Sequence, residues 1–118
     1  MPIAKGKKEA LVEYLLNIKR QGQRLELSLR FRNKPSEADQ VRKSVNVLSD
    51  AVDDLLGALM EAWTGKADVL GADFRSINAR LQARIRDIRA KIKVAENVVK
   101  AIGLIDEAAD KVAALLKA

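Results

Sequence analysis

Between Ser36 and Thr64, apolar side chains fall at Ala38, Val41, Val45, Leu48, Val52, Leu55, Leu59 and Ala62, alternately three and four positions apart. That spacing keeps them on one side of a 3.6-residue helix and predicts a helix over about 36–64. Ser36 follows Pro35 as a candidate N-cap, Asp39 stands where a capping-box acid would, and Gly57 is the weak interior point. A second stripe runs through Phe74, Ile77, Leu81, Ile85, Ile88, Ile92, Ala95, Val99 and Ile102. It predicts a second long helix over about 73–102, with Asp73 capping its start. Gly103 interrupts a pattern that resumes at Ile105, Ala109, Val112 and Leu116. The tail therefore reads as a C-terminal helical extension, continuous or kinked at the glycine.

The segment RLELSLRFR at 24–32 is ambiguous, because its apolar residues alternate with polar ones as in a half-buried strand. Counted from Leu11, however, the positions 11, 15, 18, 22, 25 and 29 continue the helical spacing through Gly22 without a slip. Leu, Arg, Glu and Gln favour helix, and the segment holds no Val, Ile or Thr. A lone strand would have to pair with its copy across a dimer axis, and a loop is the third reading. Helix over about 7–32 is the expectation, with Gly22 as a hinge point and Leu27 with Phe31 widening the apolar face.

These elements define one all-α domain over 1–118. The expected architecture is an elongated antiparallel helical bundle: a central hairpin of about 36–64 and 73–102, an extra N-terminal helix and the C-terminal extension. Short connections make sequential neighbours antiparallel. Apolar residues beyond the narrow stripes, such as Val47, Leu56, Met60, Val94 and Val98, exceed what one partner helix can cover. The N-terminal helix covers them, or a second chain does. A dimer is the expectation, with another copy or a related helical subunit.

With 48% apolar and 3% aromatic residues, the core must be aliphatic. The chain has neither cysteine nor histidine, which excludes disulfides, zinc sites built on those residues, cysteine nucleophiles and histidine acid–base chemistry. Asp53, Asp54, Glu61 and Asp68 show no metal-ligand spacing. No enzyme activity and no cofactor are expected. The N-terminus lacks the apolar run and small-residue cleavage site of a signal peptide, so synthesis in the cytoplasm is expected.

Charge is unevenly spread. Residues 1–34 carry nine Lys/Arg against three acids, 35–72 three against seven, and 73–100 eight against three. Folding an acidic helix against a basic one would select that pairing more than stabilise it, since exposed ion pairs contribute only ~0–1 kcal/mol.

Within EAWTGKADVLGADF, Trp63 is the sole tryptophan and Gly65 follows it by two positions. By itself this is a bulky residue closing the end of a core beside a common helix terminator. A helix ending LLGALMEAW, then Trp-x-Gly, then Ala and Phe opening another amphipathic helix also resembles the WXG family of small helical-hairpin proteins over about 40–106. The resemblance implies a hairpin turn at Trp63 and Gly65 and a helical-bundle dimer. It further implies a role as substrate or partner of a type VII (ESX-like) secretion system, or as adaptor for a larger effector, exported without a cleavable signal peptide. The family's Tyr-x-x-x-Asp/Glu signal would fall at 102–106, where Asp106 supplies the acid and Ile102 stands in place of the tyrosine.

The rival reading is nucleic-acid binding through phosphates. Helical spacing puts Arg80, Arg84 and Lys91 in one row and Arg86, Arg89 and Lys93 in another, flanking the isoleucine stripe. No aromatic residue interleaves with these cations, and no helix-turn-helix signature is present. A membrane surface is not the expected partner, because the basic segment KGKKEALVEYLLNIKR lacks Trp or Phe anchors.

Overall fold

The stripes fold into four helices: α1 Lys5–Phe31, α2 Pro35–Gly57, α3 Ala67–Arg89 and α4 Val94–Leu116. This computed structural model describes residues 5–57 and 67–116, with side chains over 9–57 and 71–114. The segment 24–32 is helical through Phe31, and no strand occurs among the described residues. Arg, Leu and Glu carry the helical phase there, so the local alternation never governs the backbone. The predicted hairpin turn at Trp63 and Gly65 lies outside the described residues, as does Met60.

The second long helix is not continuous. An unbroken helix is predicted over 73–102, but the chain leaves the helix after Arg89 and re-enters at Val94. The Ile92 amide donates to the Asp87 carbonyl and the Lys91 amide to that of Ile88, with Lys91 at φ 62°. This is a Schellman C-cap, in which a left-handed residue lets the last amides turn back onto the helix. The α1–α2 turn repeats it: Lys34 donates to Leu29, Asn33 to Arg30, and Asn33 has φ 60°. Neither cap uses glycine. Lysine in the left-handed region costs roughly 1–2 kcal/mol, so Lys91→Gly is expected to raise stability by about 1 kcal/mol in urea unfolding. An unchanged or lower midpoint would show that this turn carries no such strain.

The helix starts also differ from expectation. The Ala38 amide donates to the Lys34 carbonyl, so α2 begins one residue ahead of Ser36, with Pro35 in the first turn where its missing donor is harmless. Asp39 accepts from Arg30 of α1 at 2.8 Å instead of closing a capping box. Asp73 lies inside α3, 3.2 Å from Lys111 of α4. Gly103 sits exposed within an uninterrupted α4.

The helices pack in a closed ring, α1–α2–α4–α3, and the molecule measures 49 × 21 × 18 Å. The two hairpins are therefore α1–α2 and α3–α4. They lie side by side, with α1 parallel to α3 and α2 parallel to α4. Cross-contacts fix this sense: Gln21 meets Asn78, and Arg32 at the end of α1 reaches the end of α3. The predicted central hairpin is replaced by a ring in which α2 and α3 occupy opposite corners.

The core fills the ring with Leu11, Leu15, Ile18, Leu25 and Leu29 from α1 and Val41, Val45, Leu48, Val52 and Leu55 from α2. From α3 come Phe74, Ile77, Leu81, Ile85 and Ile88, all on the predicted stripe. Beyond the unpredicted turn the phase resets. Ile92 and Val99 are exposed, Ala95 likewise, while Val98, Ala101, Ile105, Ala108 and Val112 turn inward. Gly22 is not a hinge but a point of close approach. A Cβ there would stand 2.5 Å from Val45 Cγ2 and 3.2 Å from Ile105 Cδ1. Leu27 and Phe31, predicted to widen the apolar face, point outward at 54% and 86% exposure.

Candidate nucleic-acid interface

The ring sorts charge into layers. By sequence α1 carries seven Lys/Arg against three acids and α3 five against three. The neighbouring pair α2 and α4 each carry two Lys/Arg, against five and four acids respectively. Two basic helices thus lie side by side on one face, and two acidic helices on the other.

Along the basic face, α1 and α3 enclose a groove of about 250 Å³ lined by Gln21, Arg24, Gln82, Ile85, Arg86 and Arg89. Arg24, Arg86 and Arg89 are exposed, and none of them has a carboxylate within 4 Å among the described residues. On the groove's inner side, Gln21 donates to Asn78 across the α1–α3 contact. Its Oε1 is buried without a partner. The groove thus presents guanidinium donors over a polar floor, a lining suited to oxyanions.

The other predicted cations have different surroundings. Arg80 faces α4, 3.8 Å from Glu107, and Arg84 donates to Asn97 Oδ1 at 3.3 Å. With Lys100, Gly103 and Leu104 they line a second groove of about 220 Å³ between α3 and α4. Lys100 is 3.1 Å from Glu96, whose carboxyl is held below the usual range by the Lys100 hydrogen bond first, then by the Lys100 and Lys93 charges. These cations are partly neutralised. Lys91 and Lys93 lie exposed in the α3–α4 turn, and both have positive φ. The six predicted cations therefore fall into an α1-facing pair, an α4-facing pair and a turn pair.

The turn end is braced by polar contacts that the sequence reading missed. Arg32 Nη1 donates to the Ile88 carbonyl at 2.6 Å and Nη2 to that of Arg89 at 3.1 Å. A cation at a helix C-terminus meets the negative end of the dipole and adds a charged donor to the carbonyls of the last turn. Buried Asn97 donates from Nδ2 to the Ile92 carbonyl at 2.8 Å. Together they fix the end of α3, and with it Arg86 and Arg89.

No family model, curated protein or solved structure matches the chain. Trp63 and Gly65 lie outside the described residues. Asp106 is exposed on α4, one turn beyond the half-buried Ile102. No cluster of three or more potential metal ligands occurs among the described residues, and no described helix is long and apolar enough to cross a membrane. Arg24 is the main addition to the predicted set. Its sequence neighbourhood gives no sign that α3 will lie alongside it.

Proposed function

We propose that the chain is a non-catalytic helical interaction protein whose α1/α3 face binds the phosphate backbone of nucleic acid. The observation that carries this reading is the convergence of Arg24, Arg86 and Arg89 on one groove, with no carboxylate beside them among the described residues. Like charges on neighbouring helices repel, and an anion bound across both relieves that repulsion. Phe31 supports the reading too. It follows Arg24 by two helical turns on the same stripe and is 86% exposed, so the face does hold one aromatic surface.

Titration with a duplex at two salt concentrations tests this. Micromolar binding should weaken steeply with salt, and Arg24→Gln with Arg86→Gln should lower the log–log salt slope by about 2, roughly one per lost phosphate contact. A slope unchanged by the double substitution would move the contact elsewhere, and no binding at low salt would remove the reading.

A second reading keeps the WXG resemblance, as substrate or partner of a type VII secretion system. Exposed Asp106 supports it, since an acid on the surface of α4 is free to meet a partner. Trp63→Ala and Gly65→Ala should then impair assembly with a co-encoded helical partner. Unchanged assembly and melting in both would take the tripeptide out of consideration.

A further inference from the structure

We infer that copies of this chain associate with one another heterologously, the basic α1/α3 face of one seating on the acidic α2/α4 face of the next. The occupant of each face is a second copy because the chain carries both halves of the match. On the basic side, Arg20, Arg24, Leu27 and Phe31 recur four, three and four positions apart and so form one stripe of α1. On the acidic side, Lys43, Val47, Asp50 and Asp54 form such a stripe on α2, and Val99, Gly103, Asp106 and Asp110 another on α4. Asp50, Asp54, Asp106 and Asp110 are all exposed.

Each face also carries uncovered apolar groups. Leu27 and Phe31 stand out from the basic face, and Val47 and Val99 from the acidic one, at 55% and 67% exposure. A single exposed apolar residue is ordinary, but two faces of opposite charge, each with apolar residues among its charges, have the makings of an interface rim and core. A side 49 Å long and 21 Å wide can bury roughly the ~800 Å² per partner of a standard stable interface.

The charge layers also decide the symmetry. An isologous dimer through either of these two faces would set basic on basic or acidic on acidic, which repel. Basic on acidic uses two different patches of the same molecule. That contact leaves one face of each kind free at the ends, so association continues and does not stop at two. Because the basic face is the one proposed for phosphates, a polyanion would compete with the next copy and dissolve the assembly. The self-association itself does not depend on the nucleic-acid reading.

Sedimentation velocity on the full chain, with no nucleic acid present, tests it. At an ionic strength of ~0.01 M, where charges act over ~30 Å, the weight-average mass should climb with concentration past twice that of one chain. At ~1 M, where screening sets in within ~3 Å, it should fall back towards a single chain. Arg24→Glu with Arg86→Glu, and separately Asp50→Lys with Asp54→Lys, should each sediment as one chain at low salt. An equal mixture of the two should associate, because the native acidic face of the first meets the native basic face of the second. Neutral versions, Arg24→Gln with Arg86→Gln, should weaken growth, and far-UV circular dichroism establishes that each variant is folded. A single-chain mass for wild type at both salts, a closed dimer that does not grow, or undiminished growth of both charge-reversed variants would overturn the inference.

Discussion

Phe74→Ala is expected to cost about 3–5 kcal/mol, the range for truncating a buried aromatic side chain. Phe74 is fully buried on α3, and it is the largest of the fully buried side chains among the described residues. The other fully buried side chains among the described residues are smaller and aliphatic, and Tyr14 only borders the core. The loss combines the transfer free energy of the removed ring with a cavity that rigid, interlocked helices close only in part. Against a total stability of about 5–15 kcal/mol, this removes a large share. The melting temperature should fall by roughly 10–20 °C. Phe74→Leu keeps most of the volume and should cost under about 1.5 kcal/mol. Urea denaturation followed by circular dichroism checks both. A Phe74→Ala midpoint within experimental error of wild type would mean that the ring does not occupy the packed centre.

Gly22→Leu should rank beside it, for the opposite reason. In an isolated helix, replacing glycine with a larger residue gains up to about 1 kcal/mol of helix propensity. Here the added Cβ alone overlaps Val45 Cγ2 at 2.5 Å, and Ile105 Cδ1 stands next at 3.2 Å. The missing side chain of Gly22 is what allows α1 to approach α2 and α4 together near the middle of the ring. Alanine would offset its clash against the propensity gain, leaving a net loss of about 0–2 kcal/mol. Leucine drives three further carbons into the same place and should cost about 3 kcal/mol or more. A double-mutant cycle isolates the cause. In a Val45→Ala background, Gly22→Ala should become neutral or stabilising, with a coupling energy of about 1–2 kcal/mol. Additive effects would mean that the two side chains do not meet.

These two substitutions differ in how visible they are beforehand. Phe74 sits on the stripe of α3 and is a core candidate from spacing alone. Gly22 also sits on its stripe, but the stripe cannot tell a hinge from a contact. That depends on Val45 and Ile105, which reach it from other helices. The turn at 90–93 was hidden for a local reason. Chain reversals are recognised by Gly and Pro, and RAKIKV offers neither, its left-handed positions being lysines. Once the turn is missed, the stripe drawn through Ile92 and Val99 keeps the wrong phase, so that Val98 is read as lying beyond it and Ala101 is overlooked as core.

The candidate interface was legible by half. Arg86 and Arg89 stand out as cations off the isoleucine stripe, and their shared side follows from 3.6-residue periodicity. Arg24 is their neighbour only because α1 packs beside α3. The charge difference between segments was equally plain, yet it suggested that basic and acidic helices would alternate as hairpin partners. In the ring each basic helix does border an acidic one, but like charges also gather into two layers. No count along the chain reveals that arrangement.

Taken alone, the sequence determined the helical class, the stripes of α1, α2 and α3 and the absence of thiol or imidazole chemistry. Each of these rests on residue types or on spacings within a few turns of one helix, where backbone geometry is common to all proteins. The tertiary structure decided which helices are neighbours, where the third helix ends and that basic and acidic surfaces separate. Those outcomes depend on contacts between residues tens of positions apart, whose free energies are settled by packing complementarity across the whole ring.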